Sequence, residues 1–349
     1  MEQKLQFKDI ISISKWQKIQ GHFSEILGVT LRTIDKNGAF LTKTSGSTRL
    51  CEEIVRPTPR GITECGHCLP KGTADPETDW QEGYNCPITE LKSYSIPLKI
   101  ENERVGFIIL GPALVGKSRE RHPYKEIAKK INIEPEAVFD ALTEIRAFSY
   151  SRILSAVSLL NDIGQYICEV PHLRLKFKNQ HPEADSMPQI IQRVHNYYTE
   201  RVLDSLLNIS TKLTDAERGS IMLIDKGTDE IYVKMSMGLS SGIIERSRSK
   251  IGEGLAGVAA RERKSFFIDK KPAASRIRKY LKIPRLRSSM VMPIVVKDEV
   301  LGVLSIGTSD ADSQKFTAKS AETVKRMIDL VEGILVRGHP KTDLNEIIS

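Results

Sequence analysis

The sequence predicts an α+β protein made of two domains, each a central antiparallel sheet with helices packed on it. Three observations carry this. The chain has 349 residues, more than one ordinary domain holds. A strand–turn–strand segment occurs twice: Ser95–Ile100 leads through a polar turn to Val105–Gly111, and Val291–Val296 leads to Leu301–Gly307. In both copies one glycine (Gly106, Gly302) follows the proline (Pro97, Pro293) by nine positions, and a second (Gly111, Gly307) follows it by 14. An amphipathic helix opens each half and is followed by a hairpin pattern.

The elements follow in chain order. Trp16, Ile19, Phe23 and Ile26 recur at helical spacing. Thr30–Ile34 and Ala39–Leu41, around Asp35-Lys36-Asn37-Gly38, read as a hairpin with an Asn-Gly turn. After the first repeated hairpin, Ala141–Cys168 reads as one long helix with Ile153, Val157, Leu160 and Ile167 on one face. A polar break is expected from Glu169 to Pro182, with helix resuming near Pro188 and running through Val202, Leu206, Ile209 and Leu213. Ser220–Ile224 and Glu230–Lys234 form the second early hairpin. At the end, Ala321, Val324, Ile328, Val331 and Leu335 alternate three- and four-residue steps, the spacing of a coiled-coil seam through which two copies would pair. The expected domains are 1–170 and 196–337, with a linker and connecting helix at 171–195 and a tail at 338–349.

Composition narrows the function. With 40% hydrophobic and 28% charged residues, disorder and fibrous repeats are excluded. No apolar run approaches the roughly 20 residues of a membrane span. The polar start Met1-Glu2-Gln3-Lys4 has no secretion signal, so a cytoplasmic protein is expected. The net charge of +8 is local: residues 245–287 hold 14 Lys and Arg against four acids, +10, which leaves −2 for the rest. One basic segment on a near-neutral body points to a solvated or anion-recognising loop. A basic transcriptional regulator or nucleic-acid-binding protein is the rival class, and nucleic acid the less favoured partner.

Four of the five cysteines, Cys51, Cys65, Cys68 and Cys86, lie within 36 residues. Thiolates at this spacing can grip zinc or an iron–sulfur cluster, with His67 as a substitute ligand. A thiol redox sensor and plain buried thiols are the other readings. Gly252-Glu253-Gly254-Leu255-Ala256-Gly257 matches a dinucleotide-binding pattern literally, but Ser247-Arg248-Ser249-Lys250 is too polar for the buried strand that must precede it. The glycines are read instead as a tight turn into a helix at a pocket edge. No nucleophile–base pair, zinc-protease motif or kinase signature occurs, so no enzyme is expected.

The second half resembles a GAF domain over Tyr197–Val336, on the blocks Ala216–Asp225, Gly252–Ala259, Ser289–Ile294 and Leu301–Leu304. The first half resembles the PocR-type sensory domain over about residues 5–170, on Phe23–Gly28, Leu50-Cys51, Gly61, Cys65, Cys86, the Pro97…Gly106 hairpin and the helical Ala141…Leu160 region. These resemblances imply two PAS/GAF-like folds joined by long helices, in a signal-transduction sensor that binds a small metabolite. With the helical seam they lead to the expectation of a homodimer without its own output domain, coupled to an effector in trans: a kinase, a cyclase or a transcription factor. The implied pocket holds Ser220, Met222, Gly252, Glu253, Gly254, Leu255, Asp269 and Ser289. The half from Tyr197 onward has no cysteine, so covalent bilin attachment is not expected there.

Overall fold

The computed structural model describes residues 6–65, 81–116, 123–183, 188–268, 288–308 and 316–338. The chain divides at Val194/His195 into two compact units.

The N-terminal unit opens with helix α1 (Ile13–Leu27), capped by Ser12 and ended by Gly28 in the left-handed conformation, φ +68°. Strand β1 (Leu31–Asp35) follows, then a six-residue π-helical segment (Leu50–Val55), α2 (Pro59–Glu64), β2 (Tyr84–Asn85), β3 (Lys92–Ile100) and β4 (Glu103–Val115). The sheet order is β1-β4-β3-β2, with each of these pairs antiparallel. Helices α3 (Tyr124–Ile131) and α4 (Pro135–Thr143), short strand β5 (Ala147–Phe148) and α5 (Tyr150–Gln180) complete it.

One face of this sheet is covered by helices. Trp16 of α1 donates from Nε1 to Thr33 Oγ1 of β1 at 2.7 Å. Gly164 of α5 lies so close to β3 and β4 that a Cβ there would be 2.8 Å from Leu98. Leu98, Ile108 and Leu110 are fully buried on that face.

The C-terminal unit holds most of α6 (Gln189–Thr214), then β6 (Arg218–Asp225), β7 (Glu230–Met237), α7 (Ser241–Glu245), β8 (Ser249–Lys250), α8 (Gly254–Glu262), β9 (Phe266–Ile268), β10 (Ser288–Val296), β11 (Glu299–Thr308) and α9 (Ala318–Gly338). Its antiparallel sheet runs β8-β7-β6-β11-β10-β9. Helices α6 and α9 share one face: a Cβ on Gly219 would lie 2.8 Å from Leu207 and 2.9 Å from Thr211, and α9 packs on β10. No helix among the described residues is long and apolar enough to cross a membrane.

Four sequence expectations change. The helix expected over Ala141–Cys168 is two: α4 ends at Thr143, and Ser149 caps α5 by accepting from Arg152 N at 3.3 Å. The polar break expected from Glu169 begins only at His181, because Val170, His172 and Arg174 are all buried and packing carries α5 through Pro171 to Gln180. The second arm of the first hairpin is no strand, since Leu31↔Ser45 and Ile34↔Phe40 are isolated bridges. The seam on α9 is covered by its own unit: Val324, Ile328 and Val331 are 0% exposed within a single chain. A three-four apolar spacing fits a helix packed on a sheet as well as one packed on another helix.

Candidate functional site

The face of the C-terminal sheet opposite α6 and α9 opens into a cavity of about 620 Å³. Strand alternation builds its floor. Ser220 pairs with Ser305 and Met222 with Val303 across β6 and β11, while Ser289 and Val291 extend the same face onto β10. Their neighbours Gly219 and Ile306 point the other way, to the helices. The walls come from α7, the loop before α8 and the first turn of α8.

The walls combine apolar and polar groups. Val233, Leu239, Ile243 and Leu255 supply apolar surface, and Arg218, Arg246, Ser247 and Ser249 supply hydrogen-bond donors. Ser289 Oγ donates to Ile306 O at 3.1 Å, which fixes that hydroxyl on the floor. Arg246 Nε donates to Gly242 O at 2.8 Å. Glu253 is the N-cap residue of α8, yet it makes no side-chain cap; its carboxylate accepts from Lys250 N at 3.4 Å.

The three glycines of the Gly-x-Gly-x-x-Gly pattern have local duties. Gly252 and Gly254 have φ of +92° and +63°, the left-handed region that turns the chain into α8. A Cβ on Gly257 would lie 2.8 Å from Lys250 O. The strand before them, β8, is two residues at the sheet edge, not the buried strand of a dinucleotide fold.

Of the pocket residues named from the sequence, Ser220, Met222, Glu253, Gly254, Leu255 and Ser289 line this cavity. Gly252 stands beside it under Arg261, whose Nη1 would be 2.6 Å from a Cβ there. Asp269 lies outside the described residues. Sequence reasoning missed Ser305, Arg218 and Arg246. Ser305 had a signal in the two-residue alternation of β11, Arg218 in the same alternation with Ser220 and Met222 on β6, and Arg246 in the basic segment. In the described part of the basic segment, several arginines pair within the chain. Arg248 bridges Asp225 and Glu230, and Arg263 donates to Asp298 O.

The cysteines are partly gathered. Cys65 and Cys86 pack against one apolar cluster that includes Leu50, Val55 and Ile88. Arg56 hydrogen-bonds the Cys65 side chain, and Cys86 Sγ accepts from Thr89 N at 3.4 Å. Cys51 sits in the π-helical segment. His67 and Cys68 lie outside the described residues, and no group of three metal-binding side chains forms among the described ones. Cys51, Cys65, Cys86 and Cys168 are free thiols.

A sheet backed by helices on one face, with a cavity on the other, defines an α+β module with room for a small ligand. Comparison with known proteins gives the families. Residues 9–171 match the model of the sensory domain found in PocR, and residues 199–335 match that of the GAF domain. The chain carries a PocR-type sensory domain followed by a GAF domain. No curated protein matches the sequence. Among solved structures, the GAF domain of the Acinetobacter phosphoenolpyruvate-protein phosphotransferase is 18% identical, with 49% of this chain and 94% of that one covered and a TM-score of 0.34. The GAF domain/HD domain protein from Geobacter sulfurreducens is 16% identical, covering 40% of this chain and 93% of that one at a TM-score of 0.33. The type II free methionine-R-sulfoxide reductase from Thermoplasma acidophilum is 14% identical, covering 40% and 94% at a TM-score of 0.33.

Proposed function

We propose that the chain is a signal-transduction sensor whose GAF domain holds a small metabolite in the cavity above β6, β11 and β10. One observation carries this reading: a cavity of about 620 Å³ whose floor carries the Ser220, Ser289 and Ser305 hydroxyls and whose walls combine aliphatic and polar groups. Floor and helix-facing residues alternate on the same strands, so a ligand that moves Ser220 or Ser305 also moves Gly219 or Ile306 against α6. Ligand binding then shifts the packing of α6 and α9, and a second copy or an effector reads that shift. Kinases, cyclases and transcription factors are the effector classes that fit this role. Ile190 and Tyr197, 63% and 55% exposed, are apolar positions that α6 offers to such a partner. Domain limits of 1–170 and 196–337 suit this division of labour, with α5 reaching into the segment between them. Neither domain has a catalytic part in this reading.

The test is native mass spectrometry of protein purified from its source organism, alongside Ser305→Phe, which fills the cavity from its floor. A small molecule retained by the wild type and lost from a folded variant supports the reading. Retention unchanged in the variant places the ligand elsewhere.

A second reading concerns metal or thiol sensing in the N-terminal half, favoured by the meeting of Cys65 and Cys86 on one apolar cluster. With Cys51 and Cys68 they would hold zinc or an iron–sulfur cluster. Near one metal per chain by element analysis, lost in Cys65→Ser, supports it; trace metal only after expression in supplemented medium rejects it.

A further inference from the structure

The two units repeat one another in register, and the repeat reaches the cavity floor. Gly302 passes β6 so closely that a Cβ there would lie 2.3 Å from Met222 O. Gly106 passes β1 in the same way, with Ile34 O at 2.4 Å. Pro97 pairs with Phe107 and Phe107 with Ile34; Pro293 pairs with Val303 and Val303 with Met222. Two residues further along, Ile109 pairs with Arg32 where Ser305 pairs with Ser220. By the same count Ser93 and Ser95 stand where Ser289 and Val291 stand. The floor positions of the C-terminal cavity therefore have N-terminal counterparts in Arg32, Ile34, Ser93, Ser95 and Ile109.

The chemistry of the two floors differs. Where the C-terminal unit has the Ser220 hydroxyl, the N-terminal unit has a guanidinium that is 1% exposed. Arg32 Nη2 donates to Gly111 O at 3.4 Å. Ser93, fully buried, packs its hydroxyl against the same Gly111, where a Cβ would be 2.6 Å from Ser93 Oγ. The hydroxyls of Ser93 and Ser95 are buried and make no hydrogen bond among the described residues. Buried hydroxyls without partners cost stability unless something else satisfies them. Ile34, Phe107 and Ile109 form a separate apolar cluster beside them. Guanidinium is the side chain best shaped to grip a carboxylate or phosphate at two points.

We propose that the face of the N-terminal sheet opposite α1 and α5 binds a small organic oxyanion, with Arg32 holding its charged head. Ser93 and Ser95 hydrogen-bond the head, and Ile34, Phe107 and Ile109 take the apolar body. The proposal rests on the reading above that the sheet face opposite the long packed helices is the ligand face.

The full chain is titrated, by thermal shift and calorimetry, with small carboxylates and phosphate esters, each paired with its neutral amide or alcohol counterpart. Anions should bind and their neutral counterparts should not; the carboxylate and phosphate arms identify the head group. Arg32→Gln should weaken the bound anion at least about tenfold, the scale of losing a hydrogen bond to a charged group. Lys18→Gln, an exposed charge removal on α1, should leave it unchanged. Arg32→Lys keeps the charge and should retain weakened binding if Arg32→Gln does not fold. Neutral compounds binding as tightly as their anions, or a folded Arg32→Gln binding normally, overturns the oxyanion assignment and leaves the ligand-face reading standing. If nothing in the panel binds, charged or neutral, the oxyanion assignment falls, and the mass-spectrometric test above decides the ligand-face reading.

Discussion

Glu332 of α9 accepts a hydrogen bond from the backbone N–H of Val295 at 2.6 Å. Val295 lies where the β10–β11 register slips, so the bulge frees this N–H from the ladder and the helix carboxylate takes it. Burial, the largest influence, holds the Glu332 carboxyl above its ordinary range. An acid whose folded pKa is raised gives stability that is present below its unfolded pKa and lost as pH rises through the folded one. Denaturant melts of the full chain should therefore show a loss of stability as pH rises above the ordinary carboxylate range. Glu332→Gln keeps an acceptor oxygen and should flatten that dependence. Glu332→Ala orphans the Val295 N–H and should cost about 1–3 kcal/mol. An unchanged pH profile in Glu332→Gln would show that other groups set it.

The hydrogen bond from Trp16 to Thr33 is the start of a buried chain. Thr33 Oγ1 donates to Gln20 Oε1 at 3.0 Å, Thr42 Oγ1 donates to the same oxygen at 2.7 Å, and Gln20 Nε2 donates to Leu31 O at 3.2 Å. Removing one member leaves the others partly unsatisfied. Trp16→Phe should destabilise the N-terminal unit by about 2 kcal/mol or more, from lost volume and a broken network together. A double-mutant cycle with Thr33→Val should show coupling; additivity would mean that the network is not cooperative.

Ile328 and Val331 face their own sheet, both 0% exposed. Replacing both by Glu should unfold the C-terminal unit rather than release a folded monomer, since two unpaired charges would enter an apolar core. The loss should be at least about 4 kcal/mol. Circular dichroism and light scattering separate the outcomes. A folded double variant would show that α9 can leave the sheet.

Cys168 is fully buried on α5, and burial pushes its thiol pKa far up. Cys51, Cys65 and Cys86 are only partly buried. Mass-mapped alkylation of the native protein should modify these three while sparing Cys168 until denaturant is added. Early labelling of Cys168 would show that α5 opens locally.

How much of this was legible in the sequence follows from which residues are forced. The Pro97…Gly106 and Pro293…Gly302 spacings were legible because each glycine passes a neighbouring strand's carbonyl too closely for any Cβ. Ser220 and Ser289 were found as floor residues because they sit in motif blocks, whereas Ser305, in the same row, sits in none. The end of α4 at Thr143 and restart at Tyr150 were missed, since Glu144–Ser149 holds neither Gly nor Pro. Pro171 misled in the opposite sense, because its cost to the helix is outweighed by burial that only the folded chain reveals. The α9 seam shows that periodicity names the buried face but not what buries it.

The two edges of the C-terminal sheet bear on how the protein behaves when crowded. β8 contributes two residues and β9 three, and edge strands this short give another chain little to extend. Lys250 on β8 adds a charge there that must be neutralised or moved before a foreign strand can dock. In the sensor role proposed above the protein must stay dispersed until its ligand arrives, and short, charged borders work against strand-to-strand aggregation.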